Sequence, residues 1–353
     1  CLLHEKPFAG VNGSGKHNNW SMATDAGVNL LTPGDTPFEN AQFLLFLCAV
    51  IKAVDDYQDL LRLSVASAGN DHRLGANEAP PAVVSIFLGD ELMAVLDAIE
   101  NDKTLGAAER TVMKLGAHVL PRFTRDTTDR NRTSPFAFTG NKFEFRMLGS
   151  SNSIAGANIM LNAAVAESLK VYADRLESAA DFETALHDLI KETIKTHKRI
   201  IFNGNGYDDA WIKEATEKRG LLNLRTTPDA LARFCDEKNV RMLTAHKIFS
   251  KAEIESRYEI NLENYCKTVN IEALTMIDMA KKEILPAVLS YSAELSDTLL
   301  KKKAALPELA CAFESKTVAR LSVLSDEIGK AIEGLEAAVV KYRSVSDVAK
   351  AAD

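Results

Sequence analysis

Residues 129–146 read DRNRTSPFAFTGNKFEFR, and the last six of them decide between strand and helix. In NKFEFR, 141–146, charged and aromatic residues alternate, so Lys142, Glu144 and Arg146 fall on one face while Phe143 and Phe145 point to the other. A period of two marks a strand with one face in the core. The strand is expected over 142–148. Upstream, VVSIFL at 83–88 reads as a second short strand between a polar loop and a helix starting at about Asp90. Together they predict an α+β fold: one largely antiparallel sheet with flanking helices, rather than a doubly wound parallel sheet.

Working outward, the charged face of 142–146 offers one carboxylate for a cation and two cations for an anion, the needs of a metal–phosphate site. The bland alternative is a solvent-facing strand with a cross-strand ion pair. Immediately before it, RFTRDTTDRNR at 122–132 carries four arginines in eleven residues. That is either a solvated turn or a set of guanidinium forks suited to polyphosphate. Near the start, FAGVNGSGKHNNWS at 8–21 combines closely spaced glycines with Asn12, His17, Asn18, Asn19 and Ser21. Gly10-x4-Gly15-Lys16 matches a phosphate-binding loop until His17, which stands where a Ser or Thr is required, and no apolar strand precedes it. The phosphate-loop reading is rejected. What remains is a backbone that a ligand can approach closely, or a glycine-rich turn with a surface histidine. A fourth segment, NDHRLGANEAPP at 70–81, holds Arg73 and Glu78 and by itself is an ordinary polar loop.

The 353 residues are enough for two domains. With 42 Lys and Arg against 49 Asp and Glu, a net charge of −7 speaks against a dedicated nucleic-acid binder. The five cysteines are odd in number, scattered and without a C-x-x-C pair, which fits a reducing cytoplasm better than a disulfide framework. No apolar run approaches the ~20 residues of a membrane span. The longest, 43–54, ends in Asp55-Asp56 and reads as a buried helix. Helical spacing runs over 38–65, with Pro37 at the first position behind a Thr36 cap and Gly69 as the stop. Helices are also expected at 90–99 and 107–117. After Ser150 the pattern is almost wholly helical: 154–176, 182–197, 251–306 with a kink at Pro286, and 309–345. Because the chain opens on Cys1 and its most motif-like segment follows at once, a fragment is expected whose N-terminal part is missing.

These four segments, in this order, resemble glutamine synthetase, and the wording is closest to its long type III branch. GVNGSGKHNNWS is similar to the family's Asn-Gly-Ser-Gly-x-His-x-x-x-Ser signature, and DRNRTSPFAFTGNKFEFR to its Asn-Arg-Ser/Thr loop followed by the metal-binding strand. The resemblance covers about residues 4–160. It implies a division into 1–175, the C-terminal part of the catalytic domain, and 176–353, a helical C-terminal extension. It implies that Asn12 and Gly13 hold the glutamate amino acid, with Arg73 on a glutamate carboxylate. Arg146 would bind substrate and phosphate, and Glu78 would be the flap carboxylate that accepts a proton from ammonium. Arg132 would stabilise the transferred phosphoryl group. Asn19, Ser21 and Lys142 would serve ATP along with Arg132, and His17 and Glu144 would ligate Mg²⁺ or Mn²⁺.

The implied reaction joins ammonia to glutamate at the expense of ATP through γ-glutamyl phosphate. The implied assembly is a homo-oligomer, a dodecamer in the family, with neither nucleic acid nor membrane as partner. Two departures stand out: Ala137 occupies a position that is arginine in type I enzymes, and the family's other metal-binding glutamates lie upstream of anything in this sequence. The rivals are another carboxylate–amine ligase or a guanidino kinase of the same superfamily, against which the Asn12-Gly13 and Glu78 positions speak, and a non-catalytic helical assembly or regulatory subunit.

Overall fold

The computed structural model describes residues 4–8, 10–34, 36–75, 79–102, 112–113, 123–124 and 133–352. By compactness the chain forms two units, Cys1–Tyr258 and Glu259–Asp353.

The first unit is built on a four-stranded sheet in the order β1 (Asn18–Trp20), β6 (Phe143–Phe145), β5 (Phe136–Phe138), β2 (Ile86–Phe87). β1 and β5 both run antiparallel to β6, but β2 is parallel to β5, so the sheet is mixed and not largely antiparallel as expected. The connections explain the difference. β5 and β6 are joined by the tight reversal 139–142, closed by the Thr139 N–H donating to the Lys142 carbonyl at 2.8 Å, with Gly140 at φ +90°. That forces an antiparallel pair. Between β2 and β5 lies the long crossover 88–135, which contains α4 (Asp90–Glu100) and brings the chain back in the same direction. In a separate antiparallel pair, β3 (Val112–Met113) with β4 (Phe123–Thr124), β3 falls where a helix is expected at 107–117; the other residues of that span lie outside the described ones. Cross-strand pairing there overrides a weak local pattern.

Phe136, Phe138, Phe143 and Phe145 share the core face of the sheet. Phe136 stacks on Phe143 at 4.7 Å between ring centroids, and Phe138 meets Phe143 edge-on at 5.2 Å. Above them lies α1 (Ala41–Asp56), whose Phe43 ring is 6.0 Å from Phe138. The helix starts behind Asn40, whose side chain accepts from the Phe43 N–H at 3.0 Å, so Asn40 and not Thr36 is the cap and Pro37 lies in the preceding turn. The single helix expected over 38–65 breaks at Tyr57 and resumes as α2 (Gln58–Leu63). Gly69 does not end it but lies within α3 (Ala68–Arg73), a short helix capped by Ser67 where the polar loop was expected to begin.

The sheet and α1 are covered by α5 (Ile154–Glu177) and α6 (Phe182–His197), and the unit is completed by α7 (Asp209–Glu217), α8 (Thr227–Ala232) and α9 (Glu237–Ala245). Asn18 and Trp20, which share the core side of β1 with the phenylalanines, donate to Asn158 and Asn162 one turn apart on α5, at 2.7 and 2.8 Å. α6 is tied to α1 by buried Asp55, which meets His197 at 2.8 Å and the Arg199 Nε at 3.0 Å on both oxygens.

α10 (Lys251–Met279) passes from the first unit into the second, which holds α11 (Leu285–Ala305), α12 (Ala312–Arg343) and α13 (Val348–Ala352). The kink expected at Pro286 takes the form of a five-residue π turn, Ala280–Ile284, just before it. Proline lacks the N–H a regular helix needs and its ring crowds the carbonyl four residues back, and a wider turn relieves both. α11 and α12 are antiparallel, with Lys302 paired to Glu314 near the connecting turn and Lys281, before α11, paired to Glu336 on α12. Ile277, Ala280, Ile332 and Val339 form their small core. Among the described residues no helix is long and apolar enough to cross a membrane.

Candidate functional site

The register of β1 against β6 is Asn18↔Phe145, Asn19↔Glu144, Trp20↔Phe143. Opposed residues of an antiparallel pair share a face. Continued by one residue at each end, this register sets His17 opposite Arg146 and Ser21 opposite Lys142. Six predicted positions therefore lie in two facing rows on the side of the sheet away from the phenylalanines. In sequence these are two unrelated alternations; pairing makes them one surface.

At its centre, His17 Nδ1 is 3.5 Å from Glu144 Oε2. The same oxygen accepts from Arg146 through Nε at 3.2 Å and Nη2 at 3.0 Å. Glu144 and Arg146 are buried, while the His17 side chain is half exposed. Burial pushes the His17 imidazole below its ordinary value of about 6.5, and the Arg146 and Arg73 guanidinium groups add to this while Glu144 opposes it. The shift favours the neutral imidazole, the form that ligates metals.

His17 and Glu144 fit a divalent cation. With ligand bonds of ~2.1 Å, two donors on one octahedral ion stand ~3.0 Å apart when adjacent and ~4.2 Å when opposite, and 3.5 Å lies between. The carboxylate oxygen suits Mn²⁺ and Mg²⁺, whereas an imidazole nitrogen is the commoner ligand of the later transition metals.

The glycine segment does its local work by admitting side chains of this chain. A Cβ on Gly15 would come 2.2 Å from Arg73 Nη2 and 2.8 Å from the Leu148 carbonyl, and one on Gly13 would come 2.6 Å from the Glu5 carbonyl. The segment is zipped to the end of β6, with Lys16 N donating to Leu148 O at 3.0 Å and a bridge between Gly15 and Gly149. A strand, β1, follows Lys16, in keeping with the rejection of a phosphate-binding loop. Arg73 itself is buried, with Nη1 donating to the Met147 and Leu148 carbonyls and Nη2 to the Arg146 carbonyl, each at 3.2 Å. Its guanidinium braces the backbone that carries Glu144 and Arg146.

Of the other expected residues, Asn12 and Asn19 are exposed, Gly13 and Lys142 half-buried, and the Ser21 hydroxyl donates to the Asn141 carbonyl at 2.9 Å. Glu78 and Arg132 lie outside the described residues.

Two features escape the sequence reading. Glu5 is a buried carboxylate that accepts from the Ser151 N–H at 3.0 Å and from its hydroxyl, in a cradle that Gly69 and Gly149 leave open. The available signal was Gly69, expected as a helix stop, together with the distant Gly149. The segment 201–207 runs along β2: Ile201 bridges Ile86, Phe202 N donates to Ile86 O at 2.8 Å, and Asn203 accepts from the Leu88 and Gly89 amides. Gly206 N then donates to Thr133 Oγ1 at 2.7 Å. The turn-rich FNGNGYDD at 202–209 was the available clue. Asp55, Asp56 and His197 also come within 4.8 Å of one another, but Arg199 already occupies both Asp55 oxygens, and the group works as an ion-pair network between α1 and α6.

Residues 185–303 match the family described as the glutamine synthetase C-terminal domain. The chain is 49% identical over 343 residues to a glutamine synthetase of Butyrivibrio fibrisolvens, covering 95% of this chain and 48% of that protein. It is 50% identical over 302 residues to the type-3 glutamine synthetase of Dictyostelium discoideum, covering 85% of this chain and 41% of that protein. To a glutamine synthetase of Bacteroides fragilis it is 47% identical over 309 residues, covering 86% of this chain and 42% of that one. The chain thus spans about half the length, or somewhat less, of the relatives it matches. At such identity over nearly all of its residues, this chain belongs to the glutamine synthetase family.

Proposed function

We propose that this chain contributes to the ATP-dependent joining of ammonia to glutamate, with His17 and Glu144 as cation ligands and Arg146 as an anion-binding group beside them. The observation that carries this reading is their convergence on one sheet face, with an imidazole and a carboxylate 3.5 Å apart. A divalent cation held there would neutralise phosphate charge and allow two anions to approach. Arg146 adds a fixed positive charge at the same place, and Arg73 and Glu5 hold the backbone beneath it. Glutamate would attack the γ-phosphate of ATP, and ammonia would then displace phosphate from the acyl phosphate. Asn12 and Gly13 would serve glutamate, and Asn19, Ser21 and Lys142 the nucleotide. Glu78 and Arg132 complete the proposed set as proton acceptor and phosphoryl stabiliser.

In this reading 1–175 belongs to the catalytic domain and 176–353 is a helical extension, a division by role that does not follow the compact units. The extension is assigned to homo-oligomeric assembly, on the model of the family's dodecamer. Exposed apolar side chains in the second unit, among them Leu300 and Phe313, support it. A reducing cytoplasm suits Cys48, Cys235, Cys266 and Cys311, all free thiols.

The test joins the 353 residues to the part of the Butyrivibrio relative that they do not match and assays γ-glutamyl hydroxamate formation with Mn²⁺ and ATP. Activity that disappears in His17→Ala and Glu144→Gln supports the reading; activity indifferent to both removes it.

A further inference from the structure

Glu5 is a carboxylate with 4% of its surface exposed, and a group that polar is costly to bury without partners. Its side chain reaches the turn after β6, where Oε1 accepts from the Ser151 N–H at 3.0 Å and from the Ser151 hydroxyl. A Cβ on Gly149 would come 2.4 Å from its Cγ, and one on Gly69, in α3, 2.6 Å from its Oε2. Its backbone reaches the other way. The Ser14 N–H donates to the Glu5 carbonyl at 2.7 Å, and the planar trans peptide then turns the Gly13 carbonyl away from Glu5.

Gly13 lies against both Glu5 and Arg73: a Cβ there would come 2.6 Å from the Glu5 carbonyl and 2.9 Å from Arg73 Cγ. Burial disfavours the charge on the Arg73 guanidinium, and the Glu5 carboxylate favours it. The groups to which Arg73 donates, the carbonyls of 146–148 and Asn70 Oδ1, are neutral, so Glu5 supplies negative charge that they lack. We propose that Glu5 is a positioning residue for the glutamate end of the site. Its carboxylate sets Arg73 and its carbonyl sets the 13–14 peptide, so one buried residue fixes both against the turn that follows β6. This inference rests on the reading of Asn12, Gly13 and Arg73 as that end. His17 and Glu144 are held instead by the β1–β6 pairing, so loss of the carboxylate should loosen the substrate and leave the cation pair in place.

The experiment is Glu5→Gln in the joined protein described above, with KM and kcat measured for glutamate and for ATP. The amide can still accept from Ser151 but carries no charge. KM for glutamate is expected to rise about fivefold to tenfold, with kcat and KM for ATP within about twofold of the unaltered protein, the pattern of lost uniform binding. A merely structural Glu5 predicts the reverse, fewer folded molecules with a lower kcat and an unchanged KM. That result overturns the proposal, as does a variant indistinguishable from the unaltered protein. Asn12→Ala is the control for the glutamate end. If it raises KM for glutamate and Glu5→Gln does not, the end stands and the role of Glu5 falls. If neither does, or if the unaltered joined protein has no activity, the reading of that end falls and this inference with it. Should Glu5→Gln fail to fold by circular dichroism, Ser151→Ala decides, because it takes only the hydroxyl from Glu5 Oε1. It is expected to raise KM for glutamate about twofold to threefold, and no change overturns the proposal.

Discussion

Glu144 Oε2 stands 3.5 Å from His17 Nδ1 across the β1–β6 pair, two residues off direct opposition and on the same face. The two are brought together by backbone pairing rather than by any contact between their own side chains and a shared core, so the distance is set by the sheet.

The His17 imidazole should titrate below about 6.5, the value of an unperturbed histidine, because burial and the Arg146 charge both disfavour its protonated form. The sign follows from linkage. A folded-state value below the unfolded one means that the unfolded chain takes up the proton more readily, so the stability contribution is present above 6.5 and is lost as pH falls through the folded value. Ring-proton NMR of His17 is expected to show a midpoint under 6.5 that rises in Arg146→Gln. A midpoint at or above 6.5 in the unaltered chain would contradict the assigned electrostatics.

Phe143 is fully buried between Phe136 and Phe138 on the core face. Phe143→Ala should cost about 3–5 kcal/mol of folding stability, the range for an aromatic deleted from a packed core. Urea unfolding measures it, and a loss under ~1 kcal/mol would mean that the aromatic cluster is not the centre of this core.

Asp55 meets His197 and Arg199 with only 2% of its side chain exposed. Asp55→Asn is expected to lower stability by roughly 2–4 kcal/mol, the lower end reflecting the partly exposed Arg199. Its Mn²⁺ binding, followed by water-proton relaxation, should match that of the unaltered chain. Loss of Mn²⁺ binding in this variant would move the cation site from the sheet to the α1–α6 junction.

Among the described residues the sheet face supplies two donors to a cation, His17 and Glu144. Transfer of a phosphoryl group between two anions needs fuller neutralisation than that, and misplacement by ~1 Å costs about a hundredfold in rate. The isolated 353-residue chain is therefore expected to form no measurable γ-glutamyl hydroxamate with Mn²⁺ and ATP. Turnover at the rate of a whole synthetase would show that this half carries the complete site.

The alternation in 141–146 determined a strand and assigned each of its residues to a face, because the pleat leaves no other choice once two phenylalanines must be buried. The helical spacing over 154–176 and 182–197 likewise determined α5 and α6 almost to the residue. His17 and Glu144 were legible as residue types suited to a cation, whereas Arg73 by itself read as part of an ordinary polar loop. What local pattern misread were 112–113, which pair with 123–124 as strands, and 70–73, which are helical beneath the site.

Only the tertiary structure decided that β2 enters the sheet parallel, that Arg73 braces carbonyls at the end of β6, and that Glu5 fills the space left by Gly69 and Gly149. It alone put His17, Glu144 and Arg146 around one oxygen. The physical reason is range. Side-chain alternation, capping and helical spacing are settled within a few residues and so are written in the local sequence. Strand register, buried counter-charges and the space above a glycine are fixed by groups far away along the chain, and they become visible only when the fold has brought those groups within hydrogen-bonding distance.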